Sequence, residues 1–308
     1  MSAAGVLNLR KEAGPTSHDV VAAVRRLLPP RAKVGHAGTL DPMAEGVLPI
    51  CLGQATKLFP YLLDCRKTYR AVLLLGRTTD TQDVTGKTLV ECAPGAISLE
   101  EAQRLLDGFL GEGEQVPPMH SALRVGGARL YELARAGVEV ERESRPIEIF
   151  EIRALSAEGP RLTFEVTCSR GTYIRTLCDD LGRRHGAGGC LEALTRTALG
   201  PFRLEETRSL EEAEALAREG GLEGILISPA EALAHMPALT VRPEAEARLR
   251  NGAAPGPADL RLEGPPPAGG KVRLLTEGGV LIAVGRLSPP RGGVGRGSLV
   301  GPERLFSP

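Results

Sequence analysis

In the run Leu162-Thr163-Phe164-Glu165-Val166-Thr167-Cys168-Ser169-Arg170-Gly171-Thr172-Tyr173-Ile174-Arg175-Thr176-Leu177, the apolar period changes from two to between three and four. Leu162, Phe164, Val166 and Cys168 alternate with Thr163, Glu165 and Thr167, the pattern of a strand with one wet face. Ile174, Leu177 and Leu181 then share one side of a helix expected over 172–185, and Gly186 is placed to end it. A strand that passes through Gly171 into a helix puts Tyr173 and Arg175 in the first turn. Free backbone N–H groups there favour anions. Arg175 at that place reads either as a clamp for a carboxylate or phosphate or as a surface ion pair.

Working outward, Ile147, Ile149 and Ile152 supply a partner strand, and 69–75 reads as another. Ser17 is placed to cap a helix with Val20, Val21, Val24, Leu27 and Leu28 on one side, ended by Pro29-Pro30. Ser98 with Glu101 and Ser209 with Glu212 are capping boxes that start two further helices. Strands and helices intermix without a regular βαβ repeat, so the expected class is α+β. Beyond residue 236 the composition changes. A helix-like segment (242–251), a Pro/Gly-rich loop (252–270) and a hairpin-like pair (272–276 and 280–287) around Gly278-Gly279 make a small, mostly β second domain. The expected division is 1–235 and 236–308.

The chain has 308 residues, 42% hydrophobic and 25% charged, which excludes a peptide or a disordered tail. No run approaches the roughly 18 consecutive apolar residues of a membrane span, and the start lacks a basic segment followed by an apolar one. A cytoplasmic protein with no membrane association is expected. Six scattered cysteines give neither a zinc half-site nor a disulfide framework, so buried, reduced thiols are expected. The five histidines show no paired ligand spacing, and no metal is carried forward. Net charge is zero, but six Lys/Arg stand against two Asp/Glu in 8–36, seven against four in 160–203 and six against two in 271–308. Local basic patches suited to a polyanion therefore coexist with overall neutrality.

The densest motif is Gly35-His36-Ala37-Gly38-Thr39-Leu40-Asp41-Pro42-Met43-Ala44-Glu45-Gly46, followed by Gly53-Gln54-Ala55-Thr56-Lys57. It lacks the glycine-lysine placement of a phosphate-binding P-loop. A carboxylate on a tight turn, with the next φ locked by proline, is either aimed rigidly at a substrate or part of an ordinary turn. Lys67-Thr68-Tyr69-Arg70 opens a strand, followed by 79–86, and the plain reading of the two is an edge strand and an Asp-rich turn.

Taken together, Gly35 to Pro42 with Gly46, Lys67-Thr68-Tyr69-Arg70, Gln115-Val116-Pro117-Pro118-Met119-His120-Ser121-Ala122 and Gly171-Thr172-Tyr173-Ile174-Arg175-Thr176 resemble the TruB-type tRNA pseudouridine synthases, in family order and across almost the whole chain. The resemblance implies a catalytic domain on a long mixed β-sheet flanked by helices, and a C-terminal domain similar to the PUA RNA-binding module. It implies isomerisation of the uridine at position 55 in the T-loop of tRNA, by base flipping and an aspartate-dependent rearrangement of the glycosidic bond. Carried over by position, Asp41 corresponds to the catalytic aspartate. Tyr69 matches the tyrosine that stacks on the target base, and Arg175 the arginine that pairs with the aspartate. His36 resembles the residue that contacts the T-loop, while Tyr173 and Leu194 match further substrate-contacting positions. Residues 111–145 correspond to a mobile RNA-clamping insertion. His120 departs from the pattern, because the family often has tyrosine there.

The chemistry implied involves no net redox change and no outside group, so no cofactor is expected. The implied partner is the T-stem-loop of tRNA, met by a monomer without a guide RNA. Three other readings compete: a noncatalytic RNA-binding protein with Asp41 a structural turn, a guide-dependent relative acting on ribosomal RNA, and a small-molecule hydrolase. The last lacks a nucleophile elbow, metal motif or phosphate loop.

Overall fold

The computed structural model describes residues 4–121, 123–261, 270–287 and 300–306. Strand Arg161–Cys168 forms where the alternation places it, with Leu162, Phe164, Val166 and Cys168 buried. It pairs antiparallel with Lys67–Leu75 on one side and with Arg145–Glu158 on the other. These three strands belong to a nine-stranded sheet. Its path runs Gly5–Lys11, Glu45–Leu52, Gly189–Leu199, Lys67–Leu75, Arg161–Cys168, Arg145–Glu158 and Gly111–Gln115. The pairing is antiparallel except between Glu45–Leu52 and Gly189–Leu199, which run parallel over a short contact at Glu45 with Thr195 and Gly46 with Arg196. The sheet is therefore mixed, and the class is α+β as the sequence implies.

Helix Ile174–His185 lies on the sheet through Ile174, Leu177 and Leu181, and Gly186 closes it at φ 92°, the left-handed cap that glycine adopts without strain. The helix touches the sheet closely at Gly182, where a Cβ would come within 2.1 Å of the Gly189 nitrogen. Tyr173 is the residue before the first turn, at φ -97° and ψ 111°, and not within the turn. The cause is Gln115, whose side chain accepts from the Tyr173 N–H at 2.7 Å and donates to its carbonyl at 3.0 Å, holding that backbone extended.

Helix Ser17–Arg26 is capped by Thr16, not by Ser17 as the sequence reading places it. Thr16 and Asp19 make the reciprocal box, and the Ser17 hydroxyl is buried, accepting from the Leu40 N–H at 2.9 Å and donating to the Leu40 carbonyl at 3.1 Å. Ser98 and Ser209 cap Leu99–Asp107 and Leu210–Arg218 as expected. A second, five-stranded sheet begins at Ala238–Val241 and includes the hairpin Gly270–Leu275 with Leu281–Leu287. Residues 262–269 of the Pro/Gly-rich loop lie outside the described residues, as do Arg291 and Arg296 of the basic C-terminal region. The second sheet packs on the first unit through Leu281, Val284 and Phe306 against Leu58, Tyr61 and Leu62.

Gly46 marks where the fold tolerates least. Its φ is 103°, and a Cβ would stand 2.3 Å from the Arg196 carbonyl oxygen. Gly46→Ala is expected to cost about 2–3 kcal/mol, read as a lower urea midpoint, because both the backbone conformation and the parallel contact resist the added carbon.

Candidate active site

The Gly-His loop leaves strand Val34–His36 and re-enters the sheet at Glu45–Leu52. Between them Asp41-Pro42-Met43-Ala44 closes a turn, with the Ala44 N–H donating to the Asp41 carbonyl at 3.0 Å and proline at the second position, where its fixed φ fits. The turn is pinned from several sides. Lys11, 1% exposed, donates to the carbonyls of Glu12, Pro42 and Ala44 at 2.9, 3.0 and 2.7 Å. Ser17 holds Leu40 as described, and Arg196 donates to the carbonyls of Gly38 at 3.0 Å and Thr39 at 3.4 Å. A rigid support of this kind aims the Asp41 carboxylate without spending substrate binding energy on ordering it.

Arg175 meets that carboxylate from the first turn of its helix. Its Nε donates to Asp41 Oδ2 at 2.9 Å and its Nη2 to Oδ1 at 3.4 Å, a bidentate fork across 134 residues of sequence. The remaining donors reach the carbonyls of Thr81 at 2.8 Å and His120 at 2.7 Å. Asp83 Oδ2 stands 3.9 Å from Nε. The Arg175 side chain is 4% exposed, whereas the Asp41 side chain is 37% exposed, so the carboxylate has one face locked and one open. Arg175 is thus a buried partner of a carboxylate of this chain and not a surface ion pair.

Strand Lys67–Leu75 lies between two others and not at an edge, and the segment 79–86 is more than the Asp-rich turn its composition suggests. Asp83 is buried and its Oδ1 accepts from the Thr81 hydroxyl, the Thr85 N–H and the Thr85 hydroxyl. Gln82 sits at φ 63°, in the left-handed region, and is held there by Thr176, which donates to its side chain at 2.8 Å, and by Asp179, to which it donates at 3.2 Å. This conformation turns the Thr81 carbonyl toward Arg175. Lys11, Arg196, Thr81, Asp83 and Gln115 are thus parts of the site that the sequence reading does not single out. Of these, Thr81, Asp83 and Gln115 lie inside motifs it quotes.

Tyr69 lies on Lys67–Leu75, 7% exposed, directly opposite Arg196 in the sheet register. Burial pushes its phenol up; the Arg196 guanidinium against it pulls down, and the charges of Cys168 and Asp41 push up. The Tyr173 phenol is also pushed up by burial, pulled down by Ser121 and Arg175 and pushed up by Asp41, so both phenols feel the charge of the same carboxylate. His36 is held below its ordinary value by burial and then by Arg196, and its buried Nδ1 has no partner among the described residues. Leu194 is 7% exposed and packs in the same apolar cluster as Leu40, Tyr69 and Ile174. The structure therefore brings together Asp41, Tyr69, Tyr173 and Arg175, with Leu194 in their apolar wall and His36 adjoining through Arg196. The departure at His120 leaves the contact with Arg175 untouched, because the acceptor is its backbone carbonyl.

Residues 25–174 match the TruB family pseudouridylate synthase N-terminal domain, and residues 175–235 match the tRNA pseudouridylate synthase B C-terminal domain. A curated tRNA pseudouridine synthase B from Geobacter sulfurreducens is 44% identical over 282 residues, covering 91% of this chain and 92% of the relative. That of Dechloromonas aromatica is 46% identical over 305 residues, covering 98% and 95%. Among solved structures, a Cbf5-Nop10-Gar1 complex superposes with a TM-score of 0.79 at 28% identity, over 99% of this chain and 86% of that one. An H/ACA RNP bound to a substrate RNA containing 2'-deoxyuridine superposes with a TM-score of 0.78 at 26% identity, over 99% and 85%.

Proposed function

This chain belongs to the TruB family of pseudouridine synthases and isomerises uridine to pseudouridine in tRNA, and we propose that its target is the uridine at position 55 in the T-loop, with Asp41 the catalytic carboxylate. The observation that carries the assignment of Asp41 is the fork from buried Arg175, which orients a carboxylate whose other face is open.

The reaction breaks the N1–C1′ bond, turns the detached uracil and joins C5 to C1′, after which the C5 proton leaves and N1 holds a proton in its place. Asp41 supplies the one ionised group required beside the sugar and base. A uridine folded into a loop is out of reach until it is everted, at a cost of a few kcal/mol for unstacking. Stacking on Tyr69 returns about 1–3 kcal/mol of that. Its hydroxyl then serves in removal of the C5 proton. Tyr173, Leu194 and His36 line the approach, and Arg175 keeps Asp41 pointed at the nucleoside.

Residues 1–235 form the catalytic domain, with 111–145 an RNA clamp tied to the site at Gln115 and His120. Residues 236–308 form a PUA-like RNA-binding domain, which the separate five-stranded sheet supports. RNA is met by shape, phosphate and splayed bases, which suits the arginines of 124–145. The protein works as a monomer in the cytoplasm, without guide RNA; among the described residues no helix is long and apolar enough to cross a membrane.

The test is a bare T-stem-loop carrying tritium at C5 of the target uridine, incubated with this chain alone. Tritium release with pseudouridine mapped at position 55 is expected; no release without an added RNA would sink the unguided reading. Tyr69→Phe is expected to keep tRNA affinity and lower release by about 100-fold or more. Full activity in that variant would leave stacking as the ring's whole contribution.

A further inference from the structure

Arg196 carries its charge at the centre of the large sheet, 0% exposed. It stands opposite Gly46 on the parallel side and opposite Tyr69 on the antiparallel side, so its side chain is enclosed by two strands and the loop above them. Its Nε donates to the Val47 carbonyl at 2.7 Å, and its two remaining nitrogens donate to Gly38 and Thr39. Among the described residues no carboxylate lies at ion-pair distance from this guanidinium, in contrast to Arg175. Burying a cation without a carboxylate is unfavourable, and an apolar side chain of the same volume would suit a purely structural position better.

What surrounds the charge deepens the contrast. Lys67, His36 and Lys11 all feel Arg196 as a like charge, from three different strands. Burial and Arg196 together bring Lys67 down to about 8. Tyr69 is the polar group set against the guanidinium that can take the opposite sign. The charged and titratable groups that face Tyr69 are Arg196 from Gly189–Leu199, Cys168 from Arg161–Cys168 and Asp41 from the loop, and of these Arg196 alone favours negative charge on the phenol.

We propose that Arg196 is a positioning residue for the isomerisation, fixing the Gly38-Thr39 approach to Asp41 and setting a positive charge against the Tyr69 hydroxyl that partly offsets what burial costs a negative charge on this oxygen. The inference rests on the reading of Tyr69 as the group that serves C5 proton removal. One side chain then supports both halves of the chemistry, the carboxylate through the loop backbone and the phenol through its charge.

The experiment places a fluorinated tyrosine, whose phenol ionises in the neutral range, at position 69 of the full chain and follows it by fluorine NMR without RNA. Arg196→Gln is expected to raise the midpoint by about one pH unit or more. Arg196→Lys, which keeps the charge and loses the fork, is expected to return it close to the parent value while the turn at Asp41 stays loosened and turnover stays low. The kcat profile with RNA should move in the same direction as the midpoint. Equal midpoints with arginine and glutamine overturn the proposal.

A chain that does not fold with glutamine leaves a second measurement, made with Arg196 in place. The guanidinium nitrogen resonances of Arg196 are expected to shift with the same midpoint as the fluorine signal. Resonances that ignore the ionisation overturn the proposal equally. Neither NMR measurement contains RNA, so failure there leaves the tritium assay standing, and failure of the tritium assay leaves this electrostatic link to be judged by the NMR midpoints.

Discussion

Asp41→Asn is expected to lower pseudouridine formation by at least about a thousandfold while tRNA affinity changes by no more than a few fold. Asparagine keeps the volume and shape of aspartate, so the turn closed by Ala44 and the carbonyl contacts from Lys11 remain. What changes is charge and one donor-acceptor match. The amide presents a single oxygen to a fork that now finds two acceptors, and its NH2 group faces the N–H groups of Arg175. A neutral amide neither attacks nor stabilises the sugar or base, whichever step needs the carboxylate. Mapping pseudouridine in tRNA after incubation with each protein, together with filter binding, separates loss of chemistry from loss of binding. Activity retained by the asparagine variant would return Asp41 to the status of a structural turn.

Arg175→Ala has the second large expected effect, and it falls on stability and turnover together. The arginine neutralises Asp41 directly, stands 3.9 Å from Asp83 and fills the acceptors of Thr81 and His120. Water rehydrates Asp41, whose side chain is 37% exposed, but Asp83 at 8% is left with its hydroxyl and N–H donors alone. Removing one partner of a buried charge cluster costs about 3–5 kcal/mol, to be read from urea unfolding. Turnover should fall by about 100-fold or more with little change in KM, because a carboxylate free to swing loses its aim at the substrate. Arg175→Lys restores charge without a planar fork, so it should recover part of the stability and little of the turnover. Unchanged turnover in the alanine variant would strip the pair of catalytic meaning.

The polar network explains why these two variants should not be additive. Gln82, in its left-handed conformation, is bonded to Thr176 and Asp179 on the same helix that carries Arg175. Any movement of the helix start is therefore felt by Thr81 and Asp83 as well as by Asp41. Gln115 extends the coupling to the strand that opens the insertion at 111–145, since it clamps the Tyr173 backbone from both sides. Strand Gly111–Gln115 and the alignment of Arg175 on Asp41 share this joint.

Local rules made most of the elements legible. The alternation at 162–168, the apolar side of 174–181, Gly186 beyond the helix end and the serine caps at 98 and 209 each need only a few neighbouring residues to be read, and each formed. The shift from Ser17 to Thr16 as helix cap shows where such reading ends. Both residues satisfy the local rule, and the choice was made by Leu40, which takes the Ser17 hydroxyl from 23 residues away.

The sequence alone determined the element types, the aspartate-bearing turn and, by its motifs, the residues that gather around it, because those features are written in side-chain identity and short spacing. Only the tertiary structure decided that Arg196 and Lys11 are interior, that Thr81 and His120 serve by their carbonyls, and that Asp83 joins Arg175. Backbone acceptors carry no residue identity, and an arginine in Thr195-Arg196-Thr197 looks the same whether its strand lies at an edge or between two others. Its burial follows from the parallel contact with Gly46 and the antiparallel one with Tyr69, across 150 and 127 residues of chain. No window along the sequence contains those separations.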